Sequence, residues 1–328
     1  MKAVLIVPGE SGGTAEVREI DRPVAGPAQV LVRIFAAGLN RGELIMLGAA
    51  RSGAPIVNGG EFAGEVVEVG DGIEGFRPGD RVMGQARATQ AEYAAVDAGF
   101  LIRIPEGWSW TEAAAFPNVF ITAHDALVTN GRLQAGESVL VNAASSGIGT
   151  AAIQIARGLG AGKVIAVSRS REKLEQIRDL GWDAGIATDD EPLAAAVLAA
   201  TDEAGADLVI DSLGASPFEE NLKAMALGGR LVSVGRITGK SASIDLDWLS
   251  LRRLSVIGVT FRTRTPQQSL ACTAAARRDL EPLLDRGALR PIVDSAYPLH
   301  EVAAAHARLG SNRQVGKIIL TVNTDQRP

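Results

Sequence analysis

Cysteine and histidine are the scarcest chemically active residues in this sequence: its 328 residues include one cysteine, Cys272, and three histidines, His124, His300 and His306. One sulfur closes no internal disulfide, and no Cys/His group has the spacing of a zinc site. A reducing, cytoplasmic compartment is therefore expected. An excess of positive charge is also lacking: 33 basic against 38 acidic side chains leave a net charge of −5 and a pI of about 5.4. That excludes the basic footprint of a nucleic-acid binder. With 46% apolar and 22% charged residues, the composition is that of a soluble globular chain rather than a disordered one. Long hydrophobic runs are missing too. The longest uncharged stretch, 138–156, contains Asn142, Ser145, Ser146, Gln154 and two glycines, so no membrane span is expected there. The opening MKAVLIVPG is too short in its apolar run for a secretory core region.

What is present divides the chain by rhythm. Up to about residue 117, short apolar runs alternate with Gly, Pro and Asp at intervals near ten residues, which predicts a closed or partly closed β-sheet. From 122 to about 260 the pattern becomes strand, helix, strand. Strands are expected at 138–142, 163–167, 207–211, 230–234 and 255–259, joined by right-handed crossovers in a parallel sheet. Beyond 266, helices are expected at 269–286 and 299–309 and a last strand at 317–322. The fold class is thus α/β, a doubly wound parallel sheet plus a β-rich part.

The stretch VLVNAASSGIGTAAIQIARGLG runs from a strand through a small-residue turn into an amphipathic helix, with Ile148, Ala152, Ile155 and Leu159 on one face. Such a turn presents backbone N–H groups and a helix N-terminus to a pyrophosphate. Against the G-x-G-x-x-G template, Ala144, Ser146 and Gly149 take the glycine positions, and Ser145, Gly147 and Ile148 complete the loop. The strand-turn-helix setting carries the dinucleotide reading more than the string does. At the end of the second strand, where NAD-binding folds place a carboxylate, stand Ser168 and Arg169, with Arg171 and Lys173 beyond. A hydroxyl and cations suit a 2′-phosphate, so NADPH is the expected cofactor.

Alone, AASSGIG followed by SRSREKL resembles the short-chain dehydrogenases, but their Tyr-x-x-x-Lys pair is missing. Tyr93 is followed four places on by Asp97, and Tyr297 by Glu301. The whole chain instead resembles the zinc-free quinone oxidoreductase branch of the medium-chain dehydrogenase/reductase superfamily. The matching landmarks, in order, are AAGLNRGEL, GGEFAGEVVEVGDGIEGFRPGDRV, AAAFPNVFITAHDAL, LVNAASSGIG, DSLG, LRRLSVIGVTFRTRT and VGKIIL. The resemblance implies a GroES-like catalytic domain over 1–120, completed by 266–328, and a Rossmann NADP-binding domain over 121–265. It further implies that Leu213, Val234, Gly235, Phe261 and Arg262 lie along the cofactor.

Zinc-dependent relatives carry a catalytic cysteine and histidine where this chain has Asn40 and Gly60, and a four-cysteine lobe where it has only residues 85–90. An amide and a bare backbone do not replace thiolate and imidazole, so no metal is expected. Metal-free hydride transfer from NADPH to a quinone or an activated alkene is then the expected chemistry. Asn40 is the first choice to hydrogen-bond the substrate carbonyl, the alternative being an asparagine that caps its own turn. Thr122 could touch the nicotinamide side or serve as a helix N-cap, and Arg262 is favoured over Arg264 as a residue of the cleft. The branch's tyrosine after the Asn-Arg motif is absent from LGAARSGAPIV, and a second tyrosine is replaced around 187–188. Protonation is then left to water. Reduction of 2-enoyl thioesters, or cofactor binding with little catalysis as in lens crystallins of this branch, are the alternatives. The apolar run at 254–261 looks like the last strand of the parallel sheet, and the resemblance implies that such edges pair across a two-fold axis, giving a homodimer.

Overall fold

A computed structural model describes residues 1–323. The chain divides into two compact units, Met1–Asn118 with the segment from Arg290 onward, and Val119–Leu289. In the first, seven strands form a sheet in which Lys317–Thr321 pairs with Gln29–Gly38, and Gln29–Gly38 with Glu61–Val69. Alternation along Gln29–Gly38 turns Val30, Val32 and Ile34 onto Phe62, Val66, Val82, Ala94, Val96 and Leu101, a fully enclosed β-core. Two register shifts interrupt the pairing of Gln29–Gly38 with Glu61–Val69, one with Val67 as the extra residue and one with Phe35. On another side, helix Val302–Gly310 lays Val302, Ala305 and Leu309 against Ile318 and Leu320 of the last strand.

Strand register sets where the polar residues of this unit meet. Ala37 faces Phe62 on one side and Leu320 on the other. The residues just past these pairs, Asn40, Glu61 and Lys317, therefore gather at neighbouring strand ends.

The second unit is a six-stranded, all-parallel sheet in the spatial order Ala184–Ala187, Lys163–Ser168, Ser138–Val141, Ala206–Asp211, Met225–Ser233, Ser255–Gly258. This is the order 3-2-1-4-5-6 of the dinucleotide-binding fold, with the switch point beside the first strand. Leu140, Ile165, Val167, Val209 and Leu231 form its core with Leu193, Val197 and Leu222 from the crossover helices. The third strand, Ala184–Ala187, is absent from the sequence expectation, because AGIA has neither a β-branched run nor useful length.

A second difference concerns Pro266–Asp285, expected to return to the first unit. It belongs to the second, and the return begins at Arg290. Thr265 caps this helix by accepting the Gln268 N–H, and proline occupies its first turn. Its buried stripe, Thr273, Ala276, Leu280 and Leu283, packs within the second unit, with Leu283 against Gly158.

Candidate functional site

At the tip of the first parallel strand, the Ala144 N–H donates to the Val167 carbonyl (2.8 Å), tying the first two strand ends together. Ala143 is left-handed (φ 52°), which turns the chain sharply into helix Gly147–Gly158. Ser146 caps that helix, its hydroxyl accepting from the Gly149 N–H at 3.1 Å. A Cβ on Gly149 would stand 2.4 Å from the Ala143 carbonyl oxygen and 2.6 Å from that of Ala144. Glycine is obligatory there because helix and strand end touch. The N–H groups of Gly147 and Ile148, in the first turn, have no intrahelical acceptor and are free to bind an anion.

Ser168, ending the second strand, is buried, and the Arg169 side chain is exposed. The carbonyls of Ser168 and Arg169 accept from Thr188 (2.9 Å) and Asp189 (3.1 Å), which fixes their backbone. Arg171 is already engaged by Glu191 (3.2 Å) and the Gly185 carbonyl (2.9 Å), leaving Arg169 as the outward cation. Lys173 sits half-buried in helix Arg171–Glu175.

Asp211, at the end of the fourth strand in space, organises the next lip. Its carboxylate accepts from the N–H groups of Leu213 (2.9 Å) and Gly214 (3.1 Å), and its carbonyl from those of Val234 (2.7 Å) and Gly235 (3.2 Å). Burial without a cation pushes its pKa up to about 6, although the two N–H groups pull the other way. Sequence reasoning placed Leu213, Val234 and Gly235 here but passed over the residue that holds them. Further on, Arg264 pairs with buried Asp125 (2.7 Å), bonds Cys272 and stacks over Phe261 (4.4 Å). Burial and the Asp125 charge raise the Cys272 thiol pKa. Arg262 is exposed. Thr122 is buried inside helix Pro117–His124, so the N-cap alternative does not hold for it.

The first unit holds a separate polar cluster around Asn40. Glu61 is fully buried, and its Oε1 accepts from Lys317 Nζ (2.7 Å) and Asn40 Nδ2 (2.9 Å), its Oε2 from the Asn118 N–H (2.8 Å). Lys317 Nζ also donates to Asn40 Oδ1 (2.8 Å) and the Leu39 carbonyl (2.5 Å), so all three of its hydrogens have acceptors. Gly38 admits this carboxylate, since a Cβ there would stand 2.4 Å from Glu61 Oε1. The Asn40 side chain is thus clamped between a carboxylate and an ammonium, and at the same time it heads a capping box with Glu43 at the start of helix Arg41–Ala49. Behind it, buried Glu43 accepts from the Asn40 N–H (3.0 Å) and from Gln90 Nε2 (2.7 Å). The short 85–90 stretch is thus built into the cluster. His306 stands 3.7 Å from Glu43, His124 bonds Asp279 at 2.8 Å, and His300 is exposed.

These donors do not fit a zinc ion. Asn40 and Gly60 offer neither thiolate nor imidazole, and the Glu61 carboxylate beside them is held by the Lys317 ammonium, where a divalent cation would be repelled. Among the described residues no group of three or more His, Cys, Asp or Glu could hold a metal. Nor is any described helix long and apolar enough to cross a membrane. Lys317 went unremarked in the sequence beyond its VGKIIL landmark. The signal was there, a lone charge opening an otherwise apolar strand.

Comparison with known proteins bears on both units. Residues 147–275 match the family model "Zinc-binding dehydrogenase", and residues 26–106 the model "Alcohol dehydrogenase GroES-like domain". A polyketide synthase system protein, NorB of Streptomyces orinoci, is 34% identical over 93% of this chain, which spans 14% of NorB's length. The acryloyl-coenzyme A reductase of Metallosphaera sedula is 29% identical, with 98% of this chain and all of that protein covered. Among solved structures, the quinone oxidoreductase of Thermus thermophilus, studied with NADPH, is 33% identical with a TM-score of 0.83, covering 98% of this chain and 100% of that one.

Proposed function

The chain belongs to the medium-chain dehydrogenase/reductase superfamily, and from that premise we propose that it is an NADPH-dependent reductase that transfers hydride to quinones or activated alkenes without a metal. It is an oxidoreductase of that superfamily; the cofactor, the acceptor and the independence from zinc are the proposal. The observation that carries it is the Asn40–Glu61–Lys317 cluster, which puts an amide donor and an internal ammonium where zinc ligands would have to stand.

The reduced nicotinamide supplies the hydride when bound. The Gly147 and Ile148 N–H groups and the helix N-terminus would hold its pyrophosphate, while Ser168, Arg169 and Lys173 would take the 2′-phosphate. Leu213, Val234, Gly235, Phe261, Arg262 and Thr122 are proposed to complete its surroundings. Asn40 donates to the acceptor's carbonyl oxygen and stabilises the negative charge that builds there. The resulting enolate or hydroquinone anion takes its proton from water. Acceptors that need no Lewis acid suit such a site, and conjugated thioesters form the second reading, favoured by likeness to a protein named acryloyl-coenzyme A reductase.

The test is NADPH oxidation with a panel of quinones, simple enones and 2-enoyl-CoA esters, each with and without a strong chelator. Turnover unaffected by chelation is expected. Loss on chelation overturns the metal-free reading, and tight NADPH binding with no turnover on any acceptor leaves only a cofactor-binding protein. A homodimer is part of the proposal. Edge strand Ser255–Gly258 exposes Val256, with Leu246, Leu251 and Leu227 also exposed in the same unit; a monomeric mass by light scattering would remove it.

A further inference from the structure

We propose that Lys317 is a positioning residue: its ammonium locks the Asn40 amide so that this side chain can only donate, never accept, toward a carbonyl lying beside Gly60. The inference rests on the proposed role of Asn40 and goes one step deeper, to what gives that amide its polarity.

A free asparagine can rotate its amide by half a turn, exchanging a donor for an acceptor at almost no cost. Here the rotation is blocked at both ends. Oδ1 is held by Lys317 Nζ at 2.8 Å, and Nδ2 by Glu61 Oε1 at 2.9 Å. Turning the amide over would set –NH₂ against an ammonium and a carbonyl oxygen against a buried carboxylate, two repulsive contacts in place of two attractive ones. Lys317 cannot relax, because Leu39 and Glu61 occupy its other two hydrogens. Glu61 is itself fixed on its far oxygen by the Asn118 N–H.

The amide nitrogen has two hydrogens and Glu61 takes one. Space remains on its side: apart from Gly60's own chain neighbours, a Cβ built on Gly60 would meet only Asn40 Nδ2 within 4 Å, at 3.9 Å. The lock therefore leaves one N–H uncommitted beside a position with room for a methyl-sized group. An ammonium at the oxygen end also withdraws electron density from the amide and strengthens that remaining donor.

The experiment is a double-mutant cycle on purified full-length enzyme, read by kcat and KM for a quinone and an enone, with NADPH affinity measured by fluorescence titration. Glu61→Gln/Lys317→Met removes both charges together and so leaves no unpaired ion. The expected result is a kcat about 10- to 100-fold lower, short of the ~10²–10³ for deleting such a donor outright, with KM and NADPH Kd within about twofold of wild type. Asn40→Ala should then cost the full ~10²–10³ in the wild-type background and only the remaining part, about tenfold, in Glu61→Gln/Lys317→Met, because the lock acts only through Asn40. If Asn40→Ala costs the same in both backgrounds, or Glu61→Gln/Lys317→Met keeps wild-type kcat, the lock is refuted while Asn40 as donor survives. If Asn40→Ala alone leaves kcat unchanged, the donor role falls and the lock with it. Should Glu61→Gln/Lys317→Met fail to fold by circular dichroism, Lys317→Met alone carries the same cycle.

Discussion

Replacing Asp211 by asparagine should change the pH dependence of stability in a direction opposite to that of most carboxylate substitutions. A carboxyl held in the folded chain by cations has a depressed pKa and stabilises the fold as pH rises. Asp211 has no cation; burial dominates, and its pKa is pushed from 3.8 up to about 6. Below pH 3.8 folded and unfolded chains both carry the proton. Between pH 3.8 and 6 the unfolded chain loses it first, so the folded state binds more protons and its stability falls as pH rises. The full shift corresponds to about 3 kcal/mol, of which about 2.5 kcal/mol develops between pH 4 and 7. Asparagine does not titrate and its oxygen can still accept from Leu213 and Gly214. The unfolding free energy of Asp211→Asn minus that of wild type should therefore rise by about 2–3 kcal/mol from pH 4 to pH 7. Any constant cost from the new –NH₂ group cancels in that difference. Urea unfolding of both proteins at pH 4, 5, 6 and 7 measures it. Two stability curves that run parallel over this range would refute the reasoning, whatever their offset.

Gly149→Ala should cost about 1–3 kcal/mol, since the new methyl lies 2.4 Å from the Ala143 carbonyl oxygen and the helix must move away from the strand tip. NADPH affinity should fall at least about tenfold with it; wild-type melting and affinity together would contradict the close approach. Arg169→Asp should lower the ratio of kcat/KM for NADPH over NADH by about 10- to 100-fold, the worth of one charge-assisted hydrogen bond. An unchanged ratio, measured under matched acceptor, would move the 2′-phosphate away from Arg169.

How much of this was legible in the sequence depends on the distance over which each feature is determined. The parallel strands at Ser138–Val141 and Lys163–Ser168 are apolar runs that announce themselves locally, whereas Ala184–Ala187 is a strand only because a neighbour supplies its hydrogen bonds. Pro266–Asp285 was recognisable as an amphipathic helix, yet no periodicity says which of two cores its stripe will enter. The polar cluster divides in the same way. Asn40 and Gly60 could be found by motif spacing, and the scarcity of cysteine and histidine showed which ligands were missing. What stands in their place could not be found so, because Lys317 lies 277 residues from Asn40 in sequence. It arrives there through two registers, Ile319 opposite Gly38 and Phe62 opposite Ala37. A slip of one residue in the last strand would turn the lysine to the opposite face and bring an apolar neighbour beneath the buried Glu61 carboxylate. The cluster's charge balance and the pairing of the last strand are therefore one requirement: neutralising Glu61 in place selects the register that also buries Ile318 and Leu320.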